Sequence, residues 1–224
     1  VTTFLALLGG FVVGAFIWNL AEYLLHRFAM HHLHGRGIMS REHLEHHVKA
    51  GWNFSPILLL SWLGVVVVGI AGLLPLAWLL AGPVVAGGVA LGWGAAYFFY
   101  EYQHAASHLR APRGRYSTWV RHHHFHHHFG HPMANHGVTT PLWDHVFGTW
   151  QAPGVIKVPR RMALPWLVDE RGEVRPEYRD RYALVGPVSP DARLDALDRA
   201  RAFASEAPVA ALDADHQAVA PTSV

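Results

Sequence analysis

The chain has 224 residues, 51% of them hydrophobic and only 15% charged. An ordinary soluble domain carries about 25% charged residues, so the composition is that of a membrane protein. Lysine and arginine total 18 against 16 acids, too even a balance for a nucleic-acid-binding surface. The absence of cysteine excludes disulfides, thiolate zinc sites, iron–sulfur clusters and cysteine nucleophiles, while the 19 histidines demand a chemical reason.

In chain order, the first apolar segment is Phe4–Leu25. No basic segment precedes it and no small-residue cleavage pattern follows, so it reads as a membrane helix rather than a secretory signal. A second runs over Ile57–Gly82, where Pro75 is a candidate break into a span and a short re-entrant piece. A third runs over Val84–Tyr102. Each is long enough for a span of roughly 20 residues.

Histidines crowd the loop Arg27–Lys49 and the region His104–His145. Two spans between these regions put both on one membrane face, whereas one further full span would separate them. The parity favours three spans, or four helices with one re-entrant. Arg27, Arg36, Arg41 and Lys49 beside one region, and Arg110, Arg113, Arg115 and Arg121 beside the other, make that face cytoplasmic by the positive-inside tendency. Trp52 and Phe54 before the second span, and Tyr97, Phe98, Phe99, Tyr100 and Tyr102 at the end of the third, mark the interface. The expected fold is therefore all-α: an integral membrane helical protein with three to four transmembrane or re-entrant helices. A cytosolic histidine-rich helical cap would hold a di-metal site.

After Pro153 the chain is polar. Ser189-Pro190-Asp191 followed by ARLDALDRARAF predicts a capped amphipathic helix. We divide the chain into a membrane-embedded catalytic domain (1–150), a cytosolic C-terminal extension (151–206) and a disordered tail (207–224).

Four histidine clusters emerge by spacing. His26 and His31 are five apart, out of α-helical register, and fit the end of the first span followed by a turn. His43, His46 and His47 share a helix face, as do His104 and His108, because residues three and four apart are neighbours. The fourth cluster lies in RHHHFHHHF, Arg121–Phe129. There the spacing HxxHH fits His123, His126 and His127 or His124, His127 and His128. Neutral imidazole is a ligand for iron, zinc, copper and nickel, and eight to ten such groups suit two ions rather than one. A single histidine at a membrane boundary is ordinarily an interfacial polar residue, but four ordered clusters on one face are not. His32, His34, His122, His131 and His136 read as bystanders or outer groups. Glu22, four before His26, and Glu101, three before His104, are placed to accept the spare N–H of a ligating imidazole. A ferritin-like carboxylate site needs two Glu-x-x-His pairs and two further glutamates, which are missing.

The order HxxxxH, HxxHH, HxxxH and HxxHH, with a hydrophobic hairpin between the second and third, resembles the fatty acid hydroxylase/sterol desaturase superfamily of membrane histidine-box di-iron enzymes. The run GVTTPLWDHVFGTW, Gly137–Trp150, is similar to the family's segment after its last box. The third box, HxxxH, is most like that of fatty acid 2-hydroxylases. The resemblance covers most of residues 20–150. It implies His26, His31, His43, His46, His47, His104, His108, His124, His127 and His128 as metal ligands. The choice of His124, His127 and His128 follows from the aromatic Phe129 after the pair and the eight residues before Gly137. His123 becomes a neighbour, and His126 faces away. Asp144 reads as a structural residue or a group that orients a ligand, and His145 as a further outer candidate.

The resemblance implies an O2-dependent lipid hydroxylase with two iron ions, zinc being able to substitute on purification, and O2 as co-substrate. Its substrate would be a fatty acid or fatty-acyl lipid drawn from the bilayer. With no cytochrome b5-like domain ahead of the first span, electrons would come from a separate donor, cytochrome b5-like or ferredoxin/reductase. Sterol or carotenoid hydroxylation or desaturation is the alternative within the superfamily. A metal transporter or metal-buffering membrane protein would carry ionisable ligands in its spans, yet Ile57–Tyr100 contains no Asp, Glu, Lys, Arg or His. A plain membrane anchor leaves the histidine spacing unexplained.

Overall fold

The computed structural model describes residues 1–52, 56–187 and 191–212. The chain runs through α1 (Thr2–Leu24), a π-helical extension (Leu25–His31), α2 (Ile38–Lys49) and α3 (Pro56–Val67). A π-helical segment (Val68–Leu73) leads into α4 (Leu74–Leu109), followed by α5 (Gly114–Phe125), a third π-helical segment (His126–Gly130) and α6 (Leu142–Val146). Strands β1 (Ile156–Pro159) and β2 (Tyr182–Val185) precede α7 (Ala192–Phe203).

Two helical runs, Thr2–His31 and Trp62–Leu109, are long and apolar enough to cross a membrane. A helix that is apolar all round is either a buried core helix or a membrane span. Only 17% and 6% of their most apolar windows are buried within the protein, so the bilayer is what covers them. The second run reverses at Gly82, whose φ of 81° suits glycine, and Pro83. The indole N–H of Trp93 donates to the Val65 carbonyl at 3.0 Å. A straight helix would hold those two residues about 42 Å apart. The sequence placed the candidate break at Pro75. In the structure Pro75 sits in the first turn of α4, where the π-helical ladder gives way and a missing N–H is tolerated, so the chain continues.

α1 and α4 meet through glycine. Gly10 and Gly14 face Gly88 and Gly92, and a Cβ on any of them would strike the opposite backbone at Val85, Val89, Leu7 or Phe11. Small residues four apart let two membrane helices approach this closely. Towards the histidine end, Trp18 packs edge-on against Trp93 and Tyr97, with ring centroids 5.0 and 4.7 Å apart.

The described residues are mostly helical, but the all-α expectation needs correcting after Pro153. β1 and β2 form a parallel ladder with Ile156 opposite Tyr182. Ile156 and Val158 are buried and Lys157 between them is not, the period-two pattern of a strand. This segment packs with Leu164, Trp166 and Leu167 onto Phe125 and Phe129, beneath the histidine-rich helix. Asp191 caps α7, its carboxylate accepting from the N–H groups of Arg193 and Leu194 at 2.9 and 3.1 Å. Phe54, Ser189 and Pro190 lie outside the described residues. Where the sequence suggested a tail from 207, Ala207, Ala210 and Ala211 are buried and the fold continues through Leu212; 213–224 lie outside the described residues.

Candidate metal centre

The ten predicted ligands fall into two groups of five. One nitrogen from each of His26, His31, His43, His47 and His127 lies within 4.8 Å of the others, and so does one from each of His46, His104, His108, His124 and His128. The groups interlock, because α2 gives His43 and His47 to the first and His46 to the second. The rings of His47 and His128, one from each group, stack with centroids 4.0 Å apart. The sequence read α2 as one three-nitrogen face; in the fold that face straddles the two groups.

π-Helical geometry explains the spacing of five. His26 and His31 share the segment Leu25–His31, and the His32 N–H bonds to the Arg27 carbonyl, five residues back. The wider turn brings residues five apart to one side, so no turn after the span is needed, contrary to the sequence reading. At His126–Gly130 the same geometry recurs, with the His131 N–H on the His126 carbonyl at 2.8 Å.

The donor set fits metal ions. Nδ1 of His26, His127, His46 and His108 meets the carbonyls of His136, Ala134, Gly51 and Ala50 at 2.5, 2.8, 2.8 and 2.9 Å. A carbonyl can only accept, so each Nδ1 carries the proton and each Nε2 presents a lone pair. Yet Nε2 atoms face one another: His26 to His43 at 3.1 Å, His31 to His127 at 3.0 Å, His108 to His124 at 3.0 Å. Both nitrogens of His128 are buried with no hydrogen-bond partner. Converging lone pairs repel unless a cation sits among them. Imidazole donors suit iron, zinc, copper or nickel, and no carboxylate joins either group.

Burial, and then the charge a neighbouring imidazolium would add, holds His43, His47, His124, His127 and His128 well below the usual histidine range. Burial pushes His46 down to about 4, with the Gly51 carbonyl opposing the shift. These histidines are therefore neutral at pH 7, the form that binds metal.

The predicted carboxylates serve the scaffold. Glu22 does not meet His26. It accepts from the N–H groups of Val138 and Thr139 at 2.7 and 3.0 Å and from the Thr139 hydroxyl at 2.8 Å. Glu101 is likewise engaged by Tyr97, one turn back on α4, rather than by His104. Asp144 is fully buried and accepts from the N–H groups of His136 and Gly137 at 2.8 and 2.9 Å and from the Thr149 hydroxyl at 2.8 Å. Burial works against its charge, but the His123 and His136 rings and these donors hold its carboxyl below the usual range. Glu22 and Asp144 thus clamp the loop that offers the Ala134 and His136 carbonyls to His127 and His26.

Around the final box, His123 is buried with Nε2 3.5 Å from Asp144, and His126 points to Gln151; neither joins a group. His145 is exposed and stacks on Trp150, because one residue along a helix from Asp144 faces the other way. His136, read as a bystander or outer group, is fully buried, its ring 5.5 Å from those of His26 and His127. Spacing gave no hint of it, since it lies in a loop without periodicity.

A cavity of about 310 Å³ opens beside the centre. Trp18, Val65 and Tyr97 line it from the membrane helices, His43, His46 and His104 from the centre, and Glu42 and Lys49 from α2.

Comparison with known proteins places residues 11–149 in the family described as fatty acid hydroxylase. Over 153 residues the chain is 36% identical to a fatty acid 2-hydroxylase of Macaca fascicularis and 35% identical to that of Homo sapiens. Over 154 residues it is 34% identical to that of Rattus norvegicus. Each match covers 63% of this chain and 39% of the relative, so the chain spans about two fifths of the length of these proteins. No solved structure matches the chain. With the family stretch containing all four histidine clusters and the loop clamped by Glu22 and Asp144, this chain belongs to the fatty acid hydroxylase family.

Proposed function

We propose that the protein is an O2-dependent lipid hydroxylase that converts an alkyl C–H of a fatty acid or fatty-acyl lipid to C–OH. The observation that carries this reading is the pair of all-imidazole groups at the wall of a cavity that opens between membrane helices. The balanced reaction consumes R–H, O2, two protons and two electrons and yields R–OH and water. Two iron ions, held by His26, His31, His43, His47 and His127 and by His46, His104, His108, His124 and His128, would supply the redox chemistry on O2.

The chain's own residues do the rest. Trp18, Val65 and Tyr97 give an acyl chain an apolar wall reached from the bilayer, and exclude water from it. Glu42 and Lys49 offer polar contacts to a headgroup. Carbonyls 50, 51, 134 and 136 hold the imidazoles in one tautomer, with Nε2 inward.

In this reading α1 and the two limbs meeting at Gly82–Pro83 make three membrane passes. The basic residues beside the histidines put the centre and the C-terminal segment in the cytoplasm. Residues 1–150 form the membrane-embedded catalytic unit, with 151–206 as a cytosolic extension. The two electrons come from a separate donor, a cytochrome b5-like protein or a ferredoxin with its reductase.

Lipid mass spectrometry of cells expressing wild type or His127→Ala, with an electron donor present, tests the proposal. A hydroxylated acyl lipid made only by wild type is expected, and it names the substrate. Identical lipid profiles from two equally expressed proteins would refute the reading.

A further inference from the structure

Among the described residues, four that are not glycine have left-handed φ: His34 at 48°, Ala50 at 49°, Asn135 at 56° and Ser205 at 58°. Such a backbone is strained for a residue with a Cβ and persists where its surroundings impose it. Two of the four serve the histidines directly. Ala50 turns its own carbonyl to His108, and Asn135 lies between the carbonyls that take His127 and His26.

Ser205 follows the same pattern from the far end of the chain. Behind α7 the Ser205 N–H bonds to the Ala202 carbonyl and the Glu206 N–H to the Arg201 carbonyl, both at 2.9 Å. That is a Schellman motif, with Ser205 at the left-handed position where glycine is usual. What serine adds there is a hydroxyl. It lies 3.1 Å from Nδ1 of His31, and donates to the His31 carbonyl at 3.3 Å. His31 is fully buried and Ser205 nearly so.

α7 is tied down around this contact. Arg199 pairs with Glu45 on α2, and Arg161 pairs with Asp198 and, at 3.0 Å, with Asp195. The His34 ring meets the Phe203 carbonyl at 3.2 Å. None of residues 191–206 falls in the stretch matched to the family, 11–149.

Resting on the reading that the first group holds a metal ion, we infer that Ser205 is a positioning residue for His31. Its hydroxyl accepts a hydrogen bond from Nδ1–H and leaves the Nε2 lone pair facing His43 and His127. The C-terminal helix thereby becomes part of the metal centre, supplying the one Nδ1 acceptor of that group that comes from beyond residue 150 among those described.

Two substitutions separate this role from a plain helix end. Ser205→Gly removes the hydroxyl and relieves the strained backbone. Ser205→Ala removes the hydroxyl and keeps the strain. In the purified full-length chain, Zn2+ is titrated against a chromophoric chelator, and thermal unfolding is followed without metal. Both variants are expected to hold one of two Zn2+ ions about tenfold more weakly than wild type and the other unchanged. Ser205→Gly should nonetheless unfold at a higher temperature than Ser205→Ala, since both lose the hydroxyl and only the glycine relieves the strain. Wild-type affinity for both ions in both variants would overturn the inference, as would weakened binding in Ser205→Ala alone. Wild type that binds no Zn2+, or His31→Ala that retains both ions at full affinity, would refute the metal reading itself and this inference with it.

Discussion

Asp144 belongs to neither histidine group, yet it holds the loop on which two of their members lean. It accepts from two backbone N–H groups and a hydroxyl while fully buried, and the loop it holds supplies the acceptors of His26 and His127. Asp144→Asn keeps the shape but turns an NH2 group toward an N–H donor. Hydrogen bonds to a buried charge are worth about 1.5–3 kcal/mol each, and a buried donor left unpaired costs about 1–3 kcal/mol. A loss of about 3 kcal/mol in chemical unfolding is expected, with fewer metal ions retained per chain. Wild-type stability and metal content would contradict the role of this carboxylate. Because its pKa is lowered in the fold, Asp144 stabilises fully above the ordinary carboxylate range and loses that contribution only as pH falls through its lowered value.

At the scale of the element, π-helical segments place what α-helices would misplace. In Leu25–His31 the extra residue per turn brings His31 beneath His26. Inserting one alanine after Ala29 makes the spacing six and rotates His31 by about 100° off that side. Elemental analysis of the insertion variant should find the first ion lost and the second kept. Two ions retained would show that the register of His31 on this segment does not matter. The spacing HxxxxH was legible, but its conformation was not, since local preference cannot distinguish a turn after His26 from a widened helix. β1 and β2 were overlooked for a related reason. Strands of four residues amid proline and charge give too short a period to read, though the alternation of Ile156, Lys157 and Val158 was there.

At the scale of the whole molecule, burying eight imidazoles and half-burying His46 and His104 in two interlocked groups makes the fold proton-sensitive. His43, His46, His47, His124, His127 and His128 all titrate below the usual histidine value, His46 at about 4. The unfolded chain therefore binds protons first. Stability is complete above about pH 6.5 and falls as pH drops from there towards 4, by about 1.4 kcal/mol per pH unit for each histidine that titrates. Unfolding of the metal-free protein at pH 7.5, 6.5, 5.5 and 4.5 should show this decline, and bound metal should shift it to lower pH. A flat profile over that range would mean that the histidines are not buried as described.

The sequence by itself determined the apolar segments, their reversal between Gly82 and Val84, and the histidines that converge. Each depends on local composition or short-range spacing, whereas the glycine pairs Gly10/Gly14 and Gly88/Gly92 went unread until the helices were seen to meet there. Only the tertiary structure decided which histidine joins which group, because one helix feeds both and the partition depends on how four helices meet. It also decided what His26, His31, His46, His108 and His127 lean on. Their acceptors are loop carbonyls and a serine at the end of α7, up to 174 residues away in the chain. No periodicity announces a carbonyl, and no spacing rule reaches across that distance.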